Sequence, residues 1–174
     1  MWNASDYYYV RVAVQDKGSG KLGSAYQYVE IPDLRNGRLA LSNIFVTNHD
    51  TASDSNLHPS EGNTGLGASL RTYSPGECIH YSAVIYNAKY SQERPPDLES
   101  NVVLYREGAE IFRSKAEKVA VSGVNDFDRI PLRGELPLDA ATKPGDYVLQ
   151  LQVWDKQVNG NQNRTSQALS FEVP

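Results

Sequence analysis

Two stretches of this chain carry the same strict two-residue alternation, and that pattern limits the fold more than any other feature. Tyr8, Val10, Val12 and Val14 alternate with Tyr9, Arg11, Ala13 and Gln15. Tyr147, Leu149, Leu151 and Val153 alternate with Val148, Gln150, Gln152 and Trp154. Successive side chains of a strand point to opposite faces, so a period of two predicts a β-strand that can bury one face. Shifting the chain by 139 positions places Tyr8 on Tyr147 and Asp16-Lys17 on Asp155-Lys156. After turns that differ by three residues, Val29-Glu30-Ile31-Pro32 falls on Phe171-Glu172-Val173-Pro174. Alternation alone is common to any two strands. The shared Tyr start, Asp-Lys turn and apolar-Glu-apolar-Pro ending predict an internal repeat.

Each repeat reads as the last hairpin of a β-sandwich. Residues 1–34 are therefore expected to be the end of a preceding, truncated immunoglobulin-like module, and residues 37–174 a complete one. The competing expectation is an integral pair of extra strands in one larger sandwich. Between the two hairpins, strand patterns run over 39–47, 69–73, 78–87, 102–112 and 127–138, with a strand or an irregular bridge at 116–121, and a strand at 166–173 closes the chain. Ile79, Tyr81, Ala83 and Ile85 are the expected inward row of residues 78–87. Lys17-Gly18-Ser19-Gly20-Lys21 is a turn by composition, and Arg106-Glu107-Gly108 is a hairpin turn. Helical periodicity is nearly absent. About seven strands punctuated by turns predict an all-β, immunoglobulin/fibronectin-like antiparallel sandwich, preceded by the N-terminal hairpin. Tyr147, in Lys143-Pro144-Gly145-Asp146-Tyr147, is placed to form a tyrosine corner.

With 40% hydrophobic and 22% charged residues, the chain has the composition of a globular domain. Its net charge of −4 argues against nucleic acid as a partner. No apolar run reaches the roughly 18–20 residues of a membrane helix, and residues 1–6 do not read as a signal peptide. The expected partners are other domains of the same polypeptide or another protein. Because a lone hairpin is marginal in water, a homodimer formed by hairpin or strand exchange is a further expectation. Cys78 is the only cysteine, which excludes an internal disulfide; it reads as a small buried apolar residue. His80, two positions on, shares its face of the strand.

The segment from Tyr7 to Ile44, "YYYVRVAVQDKGSGKLGSAYQYVEIPDLRNGRLALSNI", resembles a stretch in von Willebrand factor A-related proteins of acidobacteria. There, Y-x-V-R-V-A-V-x-D leads through S-G-K-x-G-S-A to V-E-I/V-P-D-L and then L-A-L-S-x-I. "VIYNAK" (84–89) and "PGDYVLQLQVWD" (144–155) resemble matching stretches of the same C-terminal region. The resemblance implies an extracytoplasmic β-sandwich, secreted, periplasmic or at the cell surface. It does not carry over the Asp-x-Ser-x-Ser metal motif of the A domain, which Asp54-Ser55-Asn56 fails to supply.

Chemistry-bearing candidates are few. His49, Asp50, Asp54, His58 and Glu61 crowd a polar loop at 47–67 and offer oxygen ligands for Ca²⁺ or imidazoles for Zn²⁺. Their spacing fits neither an EF-hand nor an HExxH helix, so no metal and no cofactor is expected. Tyr7, Tyr9, Tyr26, Tyr28 and Trp154 are the candidate outward aromatics of a sugar-stacking platform. No G-x-S-x-G elbow accompanies His49, His58 or His80. The expected function is a non-catalytic structural or protein-interaction module, with a carbohydrate-binding module as alternative and a metal-dependent hydrolase third.

Overall fold

The computed structural model describes residues 6–31, 34–47, 71–160 and 163–174. Among them there is no α-helix, and every strand pairing is antiparallel. The strands are β1 (Asp6–Gln15), β2 (Leu22–Ile31), β3 (Ala40–Leu41), β4 (Phe45–Thr47), β5 (Cys78–Tyr86) and β6 (Leu98–Arg106). They continue with β7 (Ala109–Arg113), β8 (Glu117–Lys118), β9 (Arg129–Pro137), β10 (Gly145–Asp155) and β11 (Arg164–Val173). One sheet runs β11-β10-β6-β7, with β8 also beside β6. The other has β3 and β4 on one side of β5 and β9 on the other. The chain is an immunoglobulin-like β-sandwich plus an N-terminal hairpin, as its alternation predicts.

The core lies between the two sheets. Ile79, Ala83, Ile85, Ile130, Leu132 and Leu136 come from one side; Leu104, Leu149, Leu151, Val153, Leu169 and Phe171 come from the other. Ile79, Ala83 and Ile85 fill the expected inward row, and Tyr81 packs partly buried against it. Glu107 and Gly108 both take positive φ, 52° and 79°, so the expected β6–β7 hairpin closes through a two-residue turn of the type that matches strand twist. On β9, Pro131 and Pro137 lack the N–H that an incoming strand would use, which protects this edge from pairing.

Two expected strands are altered by tertiary partners. Residues 39–47 split into β3 and β4 because one extra residue is accommodated opposite β5: Leu41 pairs with Ile85, but Phe45 pairs with Ser82. At this bulge the Ser42 amide donates to the Val84 carbonyl, and the Ser42 hydroxyl accepts from the Val84 amide, both at 2.9 Å. Of residues 69–73, the described part makes a single parallel bridge, Thr72 to Glu172. Arg71 has φ 56°, a left-handed conformation that ends extended pairing.

The tyrosine corner is present. Tyr147 is 2% exposed, and its hydroxyl donates to the Lys143 carbonyl at 2.6 Å. Tyr147→Phe removes that bond but leaves Lys143 in an exposed turn where water can solvate its carbonyl. We expect a loss of about 1 kcal/mol in urea unfolding with an unchanged m-value.

Candidate functional site

The structure pairs the two repeats in the same register. Tyr8, Val10, Val12 and Val14 of β1 stand opposite Val29, Gln27, Ala25 and Gly23 of β2. Tyr147, Leu149, Leu151 and Val153 of β10 stand opposite Phe171, Leu169, Gln167 and Thr165 of β11. One shift of 139 along the first strand and one of 142 along the second superimpose all four pairs. The turns match as well. The Asp16 carboxylate accepts from the Gly18 amide at 2.9 Å, and the Asp155 carboxylate from the Gln157 amide at 2.8 Å. The Asp16 amide donates to the Lys21 carbonyl at 2.9 Å, and the Asp155 amide to the Asn163 carbonyl at 2.7 Å.

Their surroundings differ completely. Tyr147, Leu149, Leu151 and Val153 are 0–2% exposed beneath the opposing sheet, whereas Tyr8, Val10, Val12 and Val14 are 49–66% exposed. Among the described residues, β1 and β2 pair only with each other, as a separate two-stranded sheet. Asp155 is fully buried and also accepts from the Lys89 amide at 2.7 Å, tying its turn to the sandwich. Asp16 stays on the surface, its carboxyl held below the usual range by the Ser19 hydroxyl and the Gly18 and Ser19 amides.

Of the aromatic candidates with described side chains, two lie on the hairpin and one on the sandwich. Tyr9 and Tyr26 are exposed on the hairpin and stack on each other, with centroids 5.4 Å apart and planes 24° apart. Trp154 is half-buried on β10, in the sandwich. The side chains of Tyr7 and Tyr28 lie outside the described residues, as do His49, Asp50, Asp54, His58 and Glu61.

One cluster with ligand chemistry lies on the outer face of the β5–β9 sheet. Cys78 and His80 alternate with the buried row of β5, and Glu135 of β9 stands directly opposite His80. The Cys78 thiol, a His80 ring nitrogen and a Glu135 carboxylate oxygen lie within 4.8 Å of one another. The His80 Nδ1 to Glu135 Oε1 distance is 3.5 Å. Cys78 is half-buried on this outward face, which corrects its expected place as a core residue. Partial burial pushes its thiol pKa up, and the neighbouring Glu135 charge adds to that rise. The sequence pairs Cys78 with His80, but Glu135 joins them only through the β5–β9 register.

An open groove of about 590 Å³ runs between the β9 edge and β7–β8, lined by Tyr81, Asn101, Phe112, Ser114 and Arg133 among others. Asn101 is 7% exposed, and its side-chain carbonyl oxygen has no hydrogen-bond partner among the described residues.

No family model matches the chain, and no curated protein matches it. Among solved structures, an alkylpurine DNA glycosylase from Pseudomonas fluorescens bound to abasic-site DNA aligns at 14% identity and TM-score 0.41. That alignment covers 78% of this chain and 30% of the glycosylase. A family 123 glycoside hydrolase from Clostridium perfringens aligns at 12% identity and TM-score 0.40, over 60% of this chain and 23% of the enzyme. The CARDB domain of a Pyrococcus furiosus protein, solved with di-metal ions, aligns at 12% identity and TM-score 0.38, over 78% and 87%. The chain thus spans less than a third of the length of either enzyme. At these scores no ligand, activity or partner passes from those proteins to this one. The chain is an immunoglobulin-like β-sandwich with an N-terminal β-hairpin.

Proposed function

We propose that this chain is a non-catalytic structural or protein-interaction module of a larger exported polypeptide. In this reading residues 1–34 carry the closing hairpin of a preceding module of the same kind. The observation that supports it is the register-matched hairpin whose apolar row is buried in β10 and bare in β1. The occupant that fits the bare row is a sheet like β3–β5–β9, because that sheet covers the equivalent side chains of β10. The likeness to von Willebrand factor A-related proteins supports an extracytoplasmic setting. A carbohydrate platform would need one flat aromatic face, and Tyr9 and Tyr26 share no sheet with Trp154.

Hydrogen exchange tests this reading. A two-stranded ribbon without cover is marginal in water, so the amides of residues 8–14 and 23–29 are expected to exchange unprotected in the 174-residue chain. They gain protection in a polypeptide extended upstream into the preceding module. Protection in the monomeric 174-residue chain would mean that the hairpin packs on its own sandwich. Protection accompanied by a dimer on light scattering would mean hairpin exchange between copies, and either result overturns the tandem reading.

A further inference from the structure

We propose that Cys78, His80 and Glu135 form a zinc-binding site on the outer face of the β5–β9 sheet. The three side chains bring one sulfur, one imidazole nitrogen and one carboxylate oxygen within 4.8 Å of one another. Tetrahedral Zn²⁺ bound at about 2.0–2.3 Å sets its ligand atoms about 3.3–3.8 Å apart. His80 and Glu135 already stand at 3.5 Å, so closure needs only small side-chain rotations. The backbone beneath is fixed, because β5 and β9 pair without a break from Cys78–Pro137 to Tyr86–Arg129. Strand geometry places the first two ligands at i and i+2 on one face, and the sheet register supplies the third.

The donor set selects the ion. Thiolate and imidazole suit Zn²⁺, whereas Ca²⁺ and Mg²⁺ are bound by oxygen. Three protein ligands leave a fourth position, which opens to solvent beside the 60% exposed Glu135 side chain and takes a water molecule. Binding replaces the S–H bond of Cys78 by a Zn–S bond and releases the proton to solvent, with no change of oxidation state. Nothing in the proposed module role requires this site, and it stands independently of that role.

Because Cys78 is the only cysteine, a thiolate–metal signal reports this site alone. The test is titration of the reduced 174-residue chain with Co²⁺, followed by displacement with Zn²⁺. The expected result is one Co²⁺ per chain, a near-ultraviolet thiolate-to-cobalt band and its loss on adding Zn²⁺. Cys78→Ser abolishes the band, while His80→Ala and Glu135→Gln each weaken binding about tenfold or more. Circular dichroism confirms that each variant is folded, and the unsubstituted chain tests the proposal even where one is not. A free, titratable thiol with no band at about 1 mM Co²⁺, far above the dissociation constants of structural zinc sites, overturns the proposal. So does a band that is indifferent to His80→Ala and Glu135→Gln, or one lost in a His49→Ala, His58→Ala double variant.

Discussion

Leu151→Ala is expected to destabilise the chain by about 3 kcal/mol, while Val12→Ala, at the matching position of the other repeat, changes it by less than about 0.5 kcal/mol. Leu151 sits at the middle of β10, between β6 and β11, and has no exposed surface. Truncating it removes buried carbon from a close-packed interior and leaves a cavity that the two paired strands cannot collapse to fill. Val12 carries the same alternation but is 57% exposed, so its methyl groups are already in water. For a chain of this size, about 3 kcal/mol corresponds to a fall in Tm of roughly 6–12 °C. Differential scanning calorimetry of the two variants reads the contrast directly. Equal losses would show that the N-terminal row is covered in solution, and the hairpin would then belong to a packed interface already present in this chain.

This pair also shows what the sequence discloses and what it withholds. Period-two alternation says which face of a strand is fit for burial, and it identifies Tyr147, Leu149, Leu151 and Val153 correctly. It says the same of Tyr8, Val10, Val12 and Val14, because local pattern carries no information about whether a second sheet lies opposite. The tyrosine corner, the Glu107-Gly108 turn and the repeated Asp turns are legible because each is decided within a few residues. The break between β3 and β4 is not, since it is made by a hydrogen bond from Val84, 42 residues away. The Cys78–His80–Glu135 cluster is half legible for the same reason. Two members share a strand, and the third is set by the register of β5 against β9.

Gly134→Ala is expected to cost about 2–3 kcal/mol, and the cause is a neighbour rather than the backbone. Gly134 is not among the glycines at positive φ, so alanine suits its conformation and would by itself stabilise slightly through the unfolded chain. The obstacle is Tyr81, its direct partner across β5 and β9. A Cβ built on Gly134 falls on the Tyr81 hydroxyl and the ring carbon that bears it. The ring lies across backbone that has no side chain of its own, as aromatic residues do when they cover a cross-strand glycine. An alanine forces the ring toward the groove that Tyr81 and Gly134 both line, at the expense of its packing on the core. Tyr81→Ala removes that obstacle, at its own cost in packing. In the Tyr81→Ala background, Gly134→Ala should be neutral within about 0.5 kcal/mol, giving a coupling energy of about 2 kcal/mol by urea unfolding. If Gly134→Ala is as costly without the ring as with it, Tyr81 does not occupy that position, and the wall of the groove between the two sheets is built differently.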